Sequence, residues 1–171
     1  LTDSQAADSD APASMVNAIP FRVTDAEHSP ALDRIVAISS DPNRLTIYDG
    51  ATGKYQQVDL PMPGNAVSVG STGLRAAVCH DGLLSLINLQ TAVIEKSLNL
   101  KLNCFDVVLA DNGFAYLTAA GTSIQASYID LSTGVEKSPA VYSSGASLQL
   151  KPGGDSIYAS NTGSSGASVT K

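Results

Sequence analysis

Charge is scarce in this sequence. Asp, Glu, Lys and Arg make up 15 % of its 171 residues, too little for the solvated faces of long helices. The balance is acidic, with a net charge of −6. A chain of that sign has no electrostatic reason to seek nucleic acid or anionic lipid, so neither is an expected partner. No apolar run reaches the roughly 18 residues that a spanning helix needs, so no membrane span is expected. Histidine occurs twice, at His28 and His80, which excludes a multi-histidine copper or iron site built by this chain alone. Cysteine also occurs twice, at Cys79 and Cys104, without CxxC or Cys/His spacing; that is too few for a disulfide scaffold and gives no metal motif. No Gly-x-Ser-x-Gly follows a strand, and no Lys follows Gly163-Ser-Ser-Gly166 at the P-loop spacing. The residues name no cofactor, and they gather into no recognisable active site.

Apolar residues are 43 %, enough for a packed core, and Ser, Thr, Gly and Ala are abundant. That mixture suits strands and turns. No segment holds a 3.6-residue period between caps, so helix is expected to be nearly absent. The stretch Leu45 to Leu60 reads as strand, tight turn, strand: Leu45 and Ile47 alternate with more polar neighbours, Asp49 can bond the backbone ahead of it, and Gly53 supplies a positive φ.

The pattern repeats. Asp49, Asn88 and Asp130 occupy one column, 39 and 42 residues apart, and Thr52, Thr91 and Thr133 follow each by three. A second column pairs apolar residues before a Gly turn: Val67/Val69, Val107/Leu109 and Leu148/Leu150. Each unit of about 40 residues holds four strands, A to D outward from a hub, and that period is the one expected of propeller blades. In the second unit A is 66–69, B is 74–79, C is 84–88 and D is 93–98. The apolar pairs are expected to lie buried between blades.

The unit resembles the YVTN-type β-propeller repeat of bacterial surface and periplasmic proteins. Tyr128-Ile129-Asp130-Leu131-Ser132-Thr133-Gly134 and Ile47-Tyr48-Asp49-Gly50-Ala51-Thr52-Gly53 carry the likeness; the second unit departs from it, with Asn88 for Asp and Ala92 for Gly. The resemblance covers roughly residues 26–171. It implies an all-β fold, a β-propeller of four-stranded antiparallel blades, and an extracytoplasmic setting, periplasmic, secreted or at the cell surface. It is nearly silent on activity.

About three whole units and part of a fourth are expected over 19–171. The Asx turn after Asp130 falls just beyond Lys171, so the residues are read as an incomplete portion of a larger, about seven-bladed ring, or as one half of an assembly. The alternative is a small four-bladed ring closed by Ile19-Pro-Phe-Arg-Val23 as an edge strand. Residues 1–18, rich in Asp, Ser and Ala, read as a flexible leader: either a spacer after a processed signal or lipid-bearing cysteine, or an ordinary frayed terminus.

In such blades the D-to-A connections and B-to-C loops open on one face, where ligands meet propellers. That face would carry Asn65, His80, Asp81 and Asn103. Asp25 to Ser29 aligns with the innermost strand of the first unit, so Glu27 and His28 are polar where other units place Val67 or Val107. They form either a channel-lining acid/base or cation site, or the solvated surface of a first blade. His80 beside Asp81 suggests a general base, whereas Asp81-Gly82 is more simply a turn. Cys79 ends strand B of one unit and Cys104 precedes strand A of the next, so the two either form a disulfide across a blade boundary or remain separate thiols. An enzyme of lactonase-like or cofactor-binding type should gather carboxylates and histidines at the hub mouth. These loops gather Ser, Gly and Asn instead, which favours a non-catalytic module that binds a protein or glycan partner, or the remainder of its own propeller.

Overall fold

The computed structural model describes residue 19 and residues 21–110, 112–121, 126–138, 145–151, 156–160 and 169–170. The leader over 1–18, the loop over 161–166 and the turn over 152–154 lie outside the described residues. Among the described residues every regular element is a β-strand.

The first blade is the antiparallel sheet β1 (Asp25–Ser29), β2 (Arg34–Ser40), β3 (Asn43–Tyr48) and β4 (Tyr55–Asp59), in that spatial order. A six-stranded sheet follows, made of β5 (Ala66–Val69), β6 (Arg75–Asn88), β7 (Val93–Ala110), β8 (Phe114–Ala119), β9 (Ser127–Asp130) and β10 (Glu136–Lys137). It holds two blades. A straight strand of the 14 residues of β6 would span about 45 Å. Yet the Leu89 N–H donates to Leu74 O at 3.0 Å, so β6 folds back on itself, at Asp81-Gly82 where Gly82 takes φ 76°. β7 pairs with β6 as far as Asn103 and with β8 from Cys104 onward. It is therefore the outer strand of the second blade and then the inner strand of the third. A last sheet contains β11 (Ser147–Leu150), β12 (Ile157–Ser160) and β13 (Val169–Thr170).

The expected edge strand over 19–23 is corrected by the structure. Residues 21–23 belong to no strand, and the Thr24 N–H donates to Ile38 O at 2.8 Å, so this segment is the lead-in to β1 rather than an extra strand.

The core lies between blades. Val36, Ile38, Leu45 and Ile47 of the first blade pack on Val67, Val69, Val78 and Ile87 of the second. Leu84, Leu86 and Cys79 of the second pack with Val107, Leu109 and Leu117 of the third. Alternation puts successive side chains on opposite faces of a strand. A blade with neighbours on both sides buries both faces, which is why all four residues of β5 are buried. The apolar column departs from expectation at its end: Leu148 and Leu150 are only half-buried. Alternation puts half-buried Tyr116 and Tyr128 on the other face of the third blade from Leu117 and Ile129, which pack toward the second, so this boundary carries aromatic rings where the earlier ones have compact aliphatic pairs.

The turn column works by one device. Asp49 Oδ1 accepts the N–H groups of Ala51 and Thr52 at 2.9 and 3.0 Å, and Asn88 and Asp130 do the same for the residues two and three ahead of them. The Thr52 hydroxyl and N–H hold the Asp49 carboxyl below the usual range, and the Ser132 hydroxyl and its neighbours bring Asp130 to about 2.

Candidate functional site

Two places bring the chemically able side chains together: the hub, and the face carrying the B-to-C and D-to-A connections.

At the hub, the inner strands β1, β5, the second part of β7, and β11 stand side by side. One edge of each inner strand pairs within its own blade, so its other N–H groups need partners elsewhere. Side chains of the preceding blade supply them. Asp25 Oδ2 accepts the Val67 N–H at 2.9 Å, and Glu27 Oε2 accepts the Val69 N–H at 2.5 Å. Ser68 Oγ accepts from Leu109 at 3.1 Å, and Asp106 Oδ2 from Leu148 at 2.7 Å. These bonds span 41 or 42 residues, one repeat each, and latch blade to blade around the hub.

The latches line a cleft of about 620 Å³ that includes Asp25, Glu27, His28, Asp106 and Lys151. Burial, reinforced by the carboxylates of Asp25 and Asp106, pushes Glu27 up to about 7, against the opposing Val69 N–H. Burial likewise raises Asp106. Three carboxylates so placed do not form a metal cage: among the described residues no group of three His, Cys, Asp or Glu side chains is arranged to hold an ion. The sequence singled out Glu27 and His28 here. Glu27 is half-buried at the hub, bonded to the Val69 N–H, whereas His28 only borders the cleft: it is exposed and lies 3.2 Å from Asp33 Oδ1. Asp25 and Asp106 went unnoticed, although they stand 81 positions apart, two repeat lengths, at the same place in their blades.

On the loop face, Asn65 leads into β5, Asp81 sits in the fold-back of β6, and Asn103 lies in the connection within β7. Gly64 lets this connection sit directly on the core, since a Cβ there would come within 2.8 Å of Val78 Cγ1. Asn65 Nδ2 donates to Asp81 Oδ1 at 2.8 Å and to Cys104 O at 2.9 Å. Asn103 is the strand partner of Asp81. Cys79 and Cys104 are disulfide-bonded beneath them, with Cα atoms 6.0 Å apart, which ties the second blade to the third.

His80 is not part of this face: it is wholly buried, because its ring turns inward as Asp81 turns outward. Nδ1 lies 2.9 Å from Pro63 O, and Nε2 lies 3.0 Å from Ser85 Oγ. A carbonyl can only accept, so Nδ1 carries the proton and Nε2 accepts from the Ser85 hydroxyl. Burial lowers the histidine, so the neutral ring is the stable form. The His–Ser pair is sealed from any substrate and serves to hold the 61–64 connection on the second blade.

No protein-family model matches this chain, and no curated protein does. Solved structures do match. Hydrazine synthase of Kuenenia stuttgartiensis superposes with a TM-score of 0.71 at 18 % identity, over 92 % of this chain and 47 % of that one. The β-propeller domain of Cps50 (Swd1) from Myceliophteria thermophila superposes with a TM-score of 0.68 at 13 % identity, over 85 % of this chain and 50 % of that one. The likeness is one of fold. The described residues are all-β, and their antiparallel sheets are blades of a β-propeller. The chain spans about half the length of the solved chains it matches.

Proposed function

We propose that this chain belongs to a non-catalytic extracytoplasmic propeller of the YVTN-repeat kind, acting as a protein- or glycan-binding or scaffold module. One observation carries the choice of binding over catalysis: the hub carboxylates are committed to neighbouring backbone N–H groups. Asp25, Glu27 and Asp106 are the groups a hub-mouth enzyme would use, and each is engaged in joining one blade to the next. On the loop face, by contrast, Asp81 and Asn103 are exposed. The extracytoplasmic setting is supported by the buried Cys79–Cys104 disulfide, since such bonds persist in oxidising compartments. The low charge and the repeat resemblance agree with it.

A second reading, a lactonase-like or cofactor-binding enzyme, is favoured by Glu27 alone. A carboxyl held near pH 7 in a cleft of about 620 Å³ has the acidity of a general acid or base. The two readings part in one experiment. The purified protein is assayed against a panel of lactones and, immobilised, against proteins and glycans of the cell envelope. Retention of an envelope component with no turnover is the expected result. Turnover abolished by Glu27→Gln would overturn the binding reading. Fractionation of cells that make the protein tests the compartment, and recovery with the cytosol would refute that part.

A further inference from the structure

Phe105 stands out on the loop face. It is 43 % exposed, between buried Cys104 and half-buried Asp106. It sits at a bulge: Cys104 pairs with Ala119 and Asp106 with Thr118, which leaves Phe105 without a partner. The register shifts again beside it, where Gly82 of β6 alone faces residues 100–102 of β7, between the Asp81–Asn103 and Leu83–Asn99 pairs. Bulges bend a strand and re-aim its side chains: Asp106 turns to Leu148 of the last sheet and Val107 to the second blade, so alternation turns Phe105 to the second blade, where Asp81 is exposed at the same end.

Most of the free polar capacity at this end is acceptor. Asn65 spends both Nδ2 protons, on Asp81 Oδ1 and Cys104 O, which leaves its Oδ1 to accept. Asp81 keeps Oδ2. Asn103, opposite Asp81, makes no side-chain hydrogen bond among the described residues. The exposed Phe105 thus follows the residue whose carbonyl Asn65 holds, at the end of the blades that carries these acceptors and the Asn103 amide. The hydroxyls of a sugar are donors of matching chemistry, and the C–H face of a pyranose is an apolar surface that an aromatic ring covers well. The net charge of −6 opposes uronates and sulfated sugars. The disulfide and the Asn65–Cys104 bond hold the parts in place before a ligand arrives, which lowers the ordering cost of binding.

We infer that Phe105, Asn65, Asp81 and Asn103 form a binding site for a neutral glycan, an inference that rests on the binding-module reading above. The disulfide-bonded protein is to be titrated with cellobiose, mannobiose and N,N′-diacetylchitobiose, with polygalacturonate as the acidic control, and saturation-transfer NMR reads contact. Binding of at least one neutral sugar is expected. It should weaken about tenfold or more in Phe105→Ala, survive in Phe105→Tyr, and leave thermal unfolding unchanged. No transfer to any neutral sugar, undiminished transfer in Phe105→Ala, or a preference for polygalacturonate overturns the inference. A protein partner lost in Phe105→Ala, with no sugar contact, also overturns it while leaving the binding-module reading intact.

Discussion

Glu27 and Val69, 42 residues apart in sequence, meet across the boundary between the first two blades, where Glu27 Oε2 accepts the Val69 N–H at 2.5 Å. The contact joins an ionisable group to a backbone group that water cannot easily reach. It makes the first blade boundary sensitive to pH.

The sign follows from the raised pKa. Folded Glu27 titrates at about 7 against an ordinary 4.5, so between those values the folded chain holds a proton that the unfolded chain has lost. Stability from this group is present in full below pH 4.5 and is lost as pH rises to about 7. Glu27→Gln keeps an acceptor for the Val69 N–H and cannot ionise. Denaturant unfolding is expected to show the variant more stable than the parent at pH 8, with the gap closing by pH 5. A gap that is constant with pH would refute the assignment.

His80 acts in the opposite sense. Its folded pKa lies below the ordinary 6.5, because burial disfavours the charged ring and outweighs the Pro63 carbonyl, which favours it. Its contribution to stability is full above pH 6.5 and is lost as pH falls below that value. Measured in Glu27→Gln, which removes the opposing slope, stability is expected to decline on acidification. The His80 ring resonances should titrate at a lower pH than those of a free histidine. Protonation of the native ring with the midpoint of a free histidine would exclude the burial described.

The repeat was legible because its causes are local. Asp49, Asn88 and Asp130 each bond backbone two and three residues ahead, so their spacing alone exposed the blades. The hub latches were not legible, because Asp25 and Asp106 act on a strand one repeat away, and only register around the ring brings them together. His80 was misplaced for a related reason. The fold-back at Asp81-Gly82 fixes which neighbour points out, and the sequence holds nothing near His80 that announces Pro63 O. Phe105 left no mark in the periodicity because it is the one residue the bulge leaves unpaired.

Ala92 departs from the turn column and carries a cost. It takes φ 53°, where Gly53 and Gly134 take 69° and 72° at the equivalent places. A Cβ in the left-handed region costs about 1–2 kcal/mol. Ala92→Gly is expected to stabilise the fold by about 0.5–1 kcal/mol, the gain being reduced by the greater freedom of glycine in the unfolded chain. Gly134→Ala should destabilise, with the added burden of a Cβ 3.2 Å from Leu98 Cδ2. Chemical denaturation of the two variants checks both signs, and a destabilised Ala92→Gly would contradict the account.

The Cys79–Cys104 bond closes a separation of 25 residues and joins two blades that otherwise meet through apolar packing and single hydrogen bonds. In the chain-entropy account a loop of that size contributes about 3 kcal/mol, by restricting the unfolded ensemble. Both cysteines are buried, so alkylation of the native protein should label neither, and denaturation without reductant should still leave both unlabelled. Label should enter only after reduction. The double variant Cys79→Ala/Cys104→Ala is expected to lose about 3 kcal/mol or more, since truncating two buried side chains adds to the lost cross-link. The loss should fall on one boundary. Amide exchange should accelerate in β5, β6 and the inner half of β7, while the first blade, latched by Asp25 and Glu27, stays protected. Uniform acceleration across all blades would show that the sheets unfold as one unit. Labelling of both thiols before reduction would show that the bond does not form.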